Sequence, residues 1–134
     1  MTVPVNDVAD IHLLKGMLDT MIDHVFLLRV EAEGYRLVYC NHAMENFMNA
    51  SRTALHGQML DEIIPDPVLY RRIVENYQHA LSTDQAMRYE ETTEGFQSAS
   101  YTIFDTRIAP LTASVGEDRY ICGISRDITA RRTA

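Results

Sequence analysis

The order of strand-like and helix-like segments constrains the fold of this chain more than any other feature. Residue types and turn signals predict two strands over residues 25–30 and 35–40, and three more over residues 86–92, 98–111 and 119–128. The segment between the two groups of strands has helical periodicity. Two separated groups of strands pair most simply into one antiparallel sheet, and the helices between them then cover one of its faces. The sequence therefore predicts an α+β domain.

Capping residues divide the central segment into separate helices. Asn41 is a suitable N-cap for a helix over residues 42–48, and Asn49 can adopt the left-handed conformation that ends it. A second short helix is predicted over residues 59–64 and a longer one over residues 67–81. The apolar stripe of the longer helix consists of Leu69, Ile73, Tyr77 and either Ala80 or Leu81.

Composition argues against two classes of partner. The chain has 134 residues, which is the size of one domain, and a net charge of -7. Such an acidic domain repels phosphate backbones and anionic lipids, so nucleic acid is not an expected partner. No apolar run reaches the roughly 20 residues that cross a bilayer, and the N-terminal segment lacks the features of a secretory signal. We therefore expect a cytoplasmic domain without direct membrane insertion, whether or not a larger parent protein is anchored.

Cysteines and histidines show no spacing that is typical of a metal site. Cys40 and Cys122 fall inside separate predicted strands, which favours reduced, buried thiols over a disulfide or a metal pair. The histidines are His12, His24, His42, His56 and His79. Their separations do not match ligand spacings, so we predict no metal.

Several stretches resemble, in order, the motifs of the PAS domain, a sensor module of bacterial signalling proteins. "YCNHAMENFMNASRTALHG" (residues 39–57) is similar to the family's strand, Asn-capped helix and Gly-ended turn, and "DEIIPDP" (residues 61–67) to its short helix and proline. Pro110 matches a proline late in the family's penultimate strand, and "GISRDITARR" (residues 123–132) resembles its closing strand and D-I-T box. Asn49 stands where the family usually has Gly, and Asn tolerates the same left-handed backbone.

The resemblance covers about residues 21–132 and implies a PAS fold. That fold is a five-stranded antiparallel sheet in the spatial order 2-1-5-4-3, with the helices enclosing a pocket against its concave face. We accordingly divide the chain into an N-terminal capping or dimerisation helix (residues 1–22), the PAS domain (residues 23–129) and the start of a C-terminal signalling helix (residues 130–134).

The resemblance also implies a pocket that holds flavin, haem, a small organic ligand or nothing. In the photoactive flavin type a cysteine attacks the flavin, and Leu60 stands at that position here. In the haem type an axial histidine lies on the long helix, whereas the matching position here is Arg72, or Ile73 with a shift of one residue. His79 lies about two turns further along and is predicted to be a surface residue. We therefore predict neither haem nor covalent flavin, which leaves an unidentified small organic ligand or an empty pocket.

Strand alternation and the resemblance together give a candidate ligand pocket. The predicted pocket residues are Phe26, Leu28, Leu37, Tyr39, Met44, Met48, Leu60, Ile64, Ile73, Tyr77, Phe104, Thr106, Ile108, Ile121, Gly123 and Ser125. Hydroxyl groups of the set would give a ligand its polar contacts, and Gly123 would leave space over the centre of the sheet. The alternative is that these side chains simply fill the core.

An enzymatic function is the alternative to a sensor module. Glu90 and Glu91 are adjacent in a predicted strand, so their side chains point to opposite faces and cannot act together as general acid and base. The run "RYEETTE" (residues 88–94) is more simply a solvated edge. We therefore predict no catalytic site, and a small α+β enzyme is the least favoured alternative.

In the N-terminal segment, Asn6 or Asp7 is a candidate N-cap for a helix that runs to about residue 21 and carries an apolar stripe. Its stripe consists of Val8, Ile11, Leu14, Leu18 and Met21. The outer face of the long strand is half apolar and half charged, so either this helix or a second protomer is expected to cover it. We predict a homodimer, for which the candidate contacts are Ile11, Leu14, Leu18, Tyr101 and Ile103.

Asp127 and Thr129 lie where the last strand meets the outgoing helix. Either side chain can accept hydrogen bonds from the first N–H groups of that helix, which would link the strand that lines the pocket to the helix that leaves the domain. The sequence thus predicts a PAS sensory module that binds a small ligand, dimerises, or both, and regulates a downstream histidine kinase or diguanylate cyclase. The alternative is a ligand-free PAS domain that dimerises and spaces other domains.

Overall fold

The described chain forms one sheet and a set of helices. The computed structural model describes residues 7–93, 101–113 and 116–133. Its elements are α1 (Asp7–Asp19), β1 (His24–Glu31), β2 (Gly34–Cys40), α2 (His42–Met48), α3 (Arg52–Leu55), α4 (Leu60–Ile63), α5 (Pro67–Thr83), β3 (Met87–Thr93), β4 (Thr102–Thr112), β5 (Arg119–Asp127) and α6 (Thr129–Thr133). The predicted turn at residues 94–95, the start of the long strand at residues 98–100 and residues 114–115 of the last turn lie outside the described residues.

The strands form an antiparallel sheet in the order β2-β1-β5-β4-β3, which confirms the predicted order and the α+β class. Phe26 of β1 lies opposite Gly123 of β5, and Thr106 of β4 lies opposite both Ser125 of β5 and Tyr89 of β3. Because β2 and β3 occupy opposite edges, the helical segment between them has to cross one face of the sheet. That face holds the buried core.

A bulge in β2 changes which side chains face the core. Leu27 of β1 lies opposite Tyr39, whereas the next residue, Leu28, lies opposite Leu37, so Val38 is an extra residue in β2. Residues directly opposite each other share a face of the sheet, and Leu28 and Leu37 are both buried. Tyr39 therefore lies on the outer face with Leu27. The predicted inward orientation of Tyr39 is wrong because strict alternation does not survive the extra residue.

Asn41 joins three elements through its side chain. Its Oδ1 accepts from Met44 N at 3.2 Å, which caps α2 as predicted, and from Val25 N at 3.0 Å at the start of β1. Its Nδ2 donates to the carbonyl oxygens of Leu18 and Asp23, both at 2.9 Å. The residue is fully buried, so every one of these bonds replaces one that water would otherwise supply.

The long helix α5 has the predicted N-cap and buried face, and it extends two residues beyond the predicted end at residue 81. Asp66 accepts from Val68 N at the N-terminus, Pro67 occupies the first turn, and Asp84 ends the helix in the left-handed conformation. The buried residues of α5 are Leu69, Ile73, Tyr77 and Ala80. Among the described residues, no helix is long and apolar enough to span a bilayer.

The N-terminal helix α1 is attached to the domain by its C-terminal end. Arg52 Nη1 lies 3.0 Å from Asp19 Oδ1, which also accepts from His42 N at 3.0 Å. Further toward the N-terminus, Ile11 and Leu14 are at least half exposed. The protomer therefore does not bury this apolar surface against its own sheet.

Candidate ligand-binding site

The helices and the inner face of the sheet enclose a cavity of about 80 Å³. Helices α2, α4 and α5 contribute one wall, and all five strands contribute the other through residues such as Leu37, Glu91 and Ser125. The predicted pocket residues that line it are Phe26, Leu28, Leu37, Met44, Met48, Leu60, Ile64, Ile73, Tyr77, Phe104 and Ser125. The structure brings these side chains together around one space.

The other predicted pocket residues do not line this cavity. Ile108 and Ile121 are buried in the core, and Thr106 contacts two residues of the wall. A side chain at Gly123 would overlap the ring of Phe26. The space over Gly123 is therefore filled by Phe26, and the prediction that this glycine leaves room for a ligand is wrong.

Several lining residues are not in the predicted set: His24, Phe47, Ile63, Leu69, Glu91 and Thr93. A signal for two of them exists in β3, where Met87 and Tyr89 are partly buried against the core. Strand alternation places Glu91 and Thr93 on that same face. Glu91 is thus part of the cavity wall, which corrects its assignment to a solvated edge.

Three polar side chains form a chain of hydrogen bonds at the cavity wall. The hydroxyls of Thr106 and Ser125 lie 2.9 Å apart in the buried interior, and Thr106 Oγ1 donates to Glu91 Oε1 at 3.3 Å. A hydroxyl has one proton, so Ser125 donates to Thr106 when Thr106 donates to Glu91. Burial raises the pKa of Glu91, against the smaller effects of this hydrogen bond and of Arg72.

An aromatic cluster forms another part of the wall. The ring of His24 lies 4.8 Å from that of Phe47 and 5.3 Å from that of Phe104, and the two phenylalanine rings are 5.2 Å apart. Burial lowers the pKa of His24, while Asp127 and Asp23 act in the opposite direction. The cluster therefore presents a mainly neutral, apolar surface to the cavity.

The predicted signal junction is held together by hydrogen bonds. Asp127 Oδ1 accepts from Thr129 N at 2.9 Å and from Thr129 Oγ1 at 2.6 Å. Ile103 N donates to Thr129 Oγ1 at 2.9 Å, and Ile128 N donates to Ile103 O at 2.9 Å. The start of α6 is thereby tied to the start of β4 as well as to β5.

The positions that the PAS resemblance assigns to cofactor attachment hold Leu60 and either Arg72 or Ile73. Leu60 lines the cavity, Arg72 is exposed on α5, and Ile73 lines the cavity in the adjacent position. His79 is exposed and does not belong to the cavity wall. The cavity volume is also below the roughly 300 Å³ at which drug-sized ligands are bound. The absence of haem and of covalently attached flavin stays a prediction that rests on these side chains.

Neither cysteine is paired with another. Burial raises the pKa of Cys40 to about 11 and raises the pKa of Cys122 as well. In the part of the chain that the structure describes, no three His, Cys, Asp or Glu side chains are grouped to hold a metal ion.

The sheet order, the helices on one face and the D-I-T junction together match a known family. A family model described as "PAS fold" matches residues 23–133. The chain belongs to the PAS family. PAS domains are sensory and regulatory modules of signalling proteins. A comparison with curated protein sequences gave no significant match.

Similar solved structures agree with this PAS fold. The PAS domain of BvgS from Bordetella pertussis has a TM-score of 0.67 at 19% identity, with 93% of this chain and 90% of that chain covered. An RNA-binding light-oxygen-voltage receptor has a TM-score of 0.71 at 16% identity over 98% of this chain, which spans 38% of the receptor. A PAS domain from a two-component sensor histidine kinase has a TM-score of 0.62 at 14% identity, with 91% of this chain and 99% of that chain covered.

Proposed function

We propose that this PAS domain is the ligand-binding module of a larger cytoplasmic signalling protein, and that occupancy of the cavity is transmitted through β5 to α6. The observation that carries the proposal is the position of Ser125. This residue lines the cavity and precedes Asp127, which caps α6, on the same strand. A ligand that changes the contacts of Ser125 therefore acts on the strand that fixes the outgoing helix.

The connection at the end of β5 supports a mechanical coupling. Thr129 accepts from Ile103 N while its own hydroxyl bonds to Asp127. Since α6 is tied to two neighbouring strands, a small displacement of β5 relative to β4 would change the direction of α6. A ligand can shift such an equilibrium only by the difference between its affinities for the two arrangements.

We further propose that the output domain is a histidine kinase or a diguanylate cyclase, and that the domain itself does not catalyse a reaction. The likeness to a PAS domain of a two-component sensor histidine kinase supports the first choice by analogy of fold alone. The exposed apolar side chains of α1, Ile11 and Leu14 among them, support a homodimer. Leu60 and Arg72 at the cofactor positions support a small organic ligand rather than haem or covalent flavin.

A ligand-free spacer is the second candidate. The small volume of the cavity, about 80 Å³, and the packed rings of Phe47 and Phe104 favour this alternative. In that case the domain would contribute dimerisation and spacing, and the cavity would be a packing defect of the core.

Native mass spectrometry of the purified domain separates the two candidates. A ligand-binding module should carry a reproducible extra mass that is lost on denaturation. Leu69→Phe should abolish that mass because Leu69 lines the cavity and is 4% exposed. Val68→Phe is the matched control, since Val68 is 62% exposed, and it should retain the mass.

An apo protein in every preparation would contradict ligand binding and support the spacer. Overpacking by Leu69→Phe costs about 1–3 kcal/mol, so circular dichroism has to show that the variant is folded. Equal loss of the extra mass in both variants would place the bound molecule outside the cavity.

A further inference from the structure

We propose that the cavity takes a small apolar molecule with one protonated amine group, and that Glu91 binds this amine. The inference rests on the proposed function in one respect, namely that the cavity binds a ligand. It adds the chemical class of that ligand and the residue that selects it.

Glu91 is the acidic group of the cavity wall. Among the lining residues, the other polar side chains are His24, Tyr77, Thr93 and Ser125. Burial disfavours the ionised form of a carboxyl group unless a cation or several donors compensate. The described hydrogen bond of Glu91 is the one from Thr106, at 3.3 Å. Within the described residues, Glu91 forms no ion pair shorter than the usual 4 Å limit.

The basic side chain that acts on Glu91, Arg72, forms no ion pair with it among the described residues. Arg72 lies on α5 and is exposed. It lowers the pKa of Glu91, but this effect is smaller than the increase that burial causes. The tyrosines Tyr77 and Tyr89 also face Glu91, and burial raises the pKa of both phenols, which keeps them neutral. A ligand cation would therefore meet a carboxyl group that has one hydrogen bond, from Thr106, and no ion pair among the described residues.

The remaining wall fits the apolar body of such a ligand. The rings of Phe26, Phe47 and Phe104 line the cavity together with aliphatic side chains of α5, and aromatic faces attract cations. His24 also lines the cavity, and burial lowers its pKa, so a neutral imidazole rather than a second cation faces the amine. A carboxylate ligand would instead place a second negative charge beside Glu91.

Three probes with four carbon atoms each distinguish the head groups: butylamine, 1-butanol and butyrate. Chemical shift changes of backbone amides in the domain report where each probe binds and how tightly. Butylamine is expected to perturb the amides of the cavity wall and to bind at least about tenfold more tightly than 1-butanol, since hydrogen bonds to charged groups are the stronger ones. Butyrate is expected not to bind.

Glu91→Gln and Glu90→Gln form a matched pair of variants. Both remove one negative charge, but Glu90 is exposed while Glu91 lines the cavity. Glu91→Gln keeps an acceptor for Thr106 and is expected to weaken butylamine binding about tenfold or more, whereas Glu90→Gln leaves it unchanged. In the unmodified domain, butylamine affinity should fall as pH falls, because a protonated Glu91 cannot pair with the amine. This pH series needs no variant.

The results that contradict the amine inference differ from the result that contradicts the proposed function. If 1-butanol or butyrate binds in the cavity as tightly as butylamine, or if Glu91→Gln leaves butylamine binding unchanged, the amine inference is wrong and the ligand-binding function stands. If none of the three probes binds in the cavity, the amine inference is also wrong. Failure of the proposed function itself is a separate result, seen as the absence of retained mass in native mass spectrometry.

Discussion

The ring of Phe26 lies against the backbone of Gly123, in the space that a Cβ atom at this position would occupy. The two residues are directly opposite each other in the pairing of β1 with β5. The glycine is required by the packing of the aromatic ring. It does not serve as an empty site for a ligand.

Gly123→Ala is expected to destabilise the domain by about 1–3 kcal/mol, because the ring of Phe26 must leave its position. Urea denaturation measures this loss. Gly16→Ala is the control, since Gly16 lies in α1 with no atom near the added methyl group, and alanine there should be neutral or stabilising. Equal stability of Gly123→Ala and the unmodified protein would contradict the observed position of Phe26.

Asn41→Ala should cost at least about 2 kcal/mol of unfolding free energy, because it removes a helix cap and leaves buried backbone groups without partners. The partners affected include Val25 N and the carbonyl of Leu18. Thermal and urea denaturation report the effect. Asn46→Ala, at an exposed position of α2, should change stability by less than about 0.5 kcal/mol, and a similar loss in both variants would argue against a special role of Asn41.

His56 should make the stability of the domain depend on pH. Its Nε2 accepts from Cys40 N at 3.1 Å. Although the side chain is largely exposed, partial desolvation, Arg52 and Lys15 lower its pKa against the effect of Glu45. The folded state therefore binds a proton at His56 less readily than the unfolded state does. The contribution of neutral His56 to the free energy of unfolding is fully present above the unfolded pKa of about 6.5. It is lost as the pH falls through the lowered folded pKa.

The measurement is the difference in unfolding free energy between pH 8 and pH 5. This difference should be smaller in His56→Ala than in the unmodified domain. His12→Ala changes an exposed histidine of α1. It should not alter the difference in unfolding free energy between pH 8 and pH 5. An unchanged difference in His56→Ala would show that the hydrogen bond to Cys40 does not govern the pH response.

Thr129 should control the attachment of α6 to β4. Thr129→Val removes the hydroxyl that accepts from Ile103 N, so amide exchange at Ile103 should accelerate clearly. Thr129→Ser keeps the hydroxyl and should retain the protection. Unaltered exchange in Thr129→Val would mean that Ile103 is protected by other contacts and that the proposed coupling at this junction is wrong.

A homodimer through α1 should depend on its exposed apolar side chains. Ile11→Lys combined with Leu14→Lys is expected to shift the domain toward the monomer in light scattering, since both side chains are at least half exposed in the protomer. Val68→Lys places the same charge at an exposed position of α5 and should leave the oligomeric state unchanged. A dimer that resists the α1 changes would use another surface.

Local signals explain why so much of the secondary structure was predictable. Asn41 and Asp66 are N-caps, and Asn49 ends α2 in the left-handed conformation. These residue types favour such positions in most helices. The apolar period of α5 likewise gave its buried face, including Ile73 and Tyr77. These features depend on neighbours in the chain, so the sequence carries them directly.

The errors concern features that distant residues decide. The extra residue Val38 turns Tyr39 outward because of pairing with β1, and Phe26 fills the space above Gly123 from the neighbouring strand. The charge of Glu91 suggested that its side chain is exposed to solvent, although the alternation of β3 places it on the inner face. The packing of β3 beneath α5 shows that Glu91 lines the cavity.

The sequence by itself determined the helix caps and the amphipathic face of α5, because each depends on local geometry. The strand order followed only from the resemblance to PAS motifs. The tertiary structure alone decided that Tyr39 faces outward, that Phe26 fills the space over Gly123 and how α6 is tied to Ile103. The physical reason is that burial and cross-strand contacts arise from residues far apart in the chain, whose meeting no local pattern specifies.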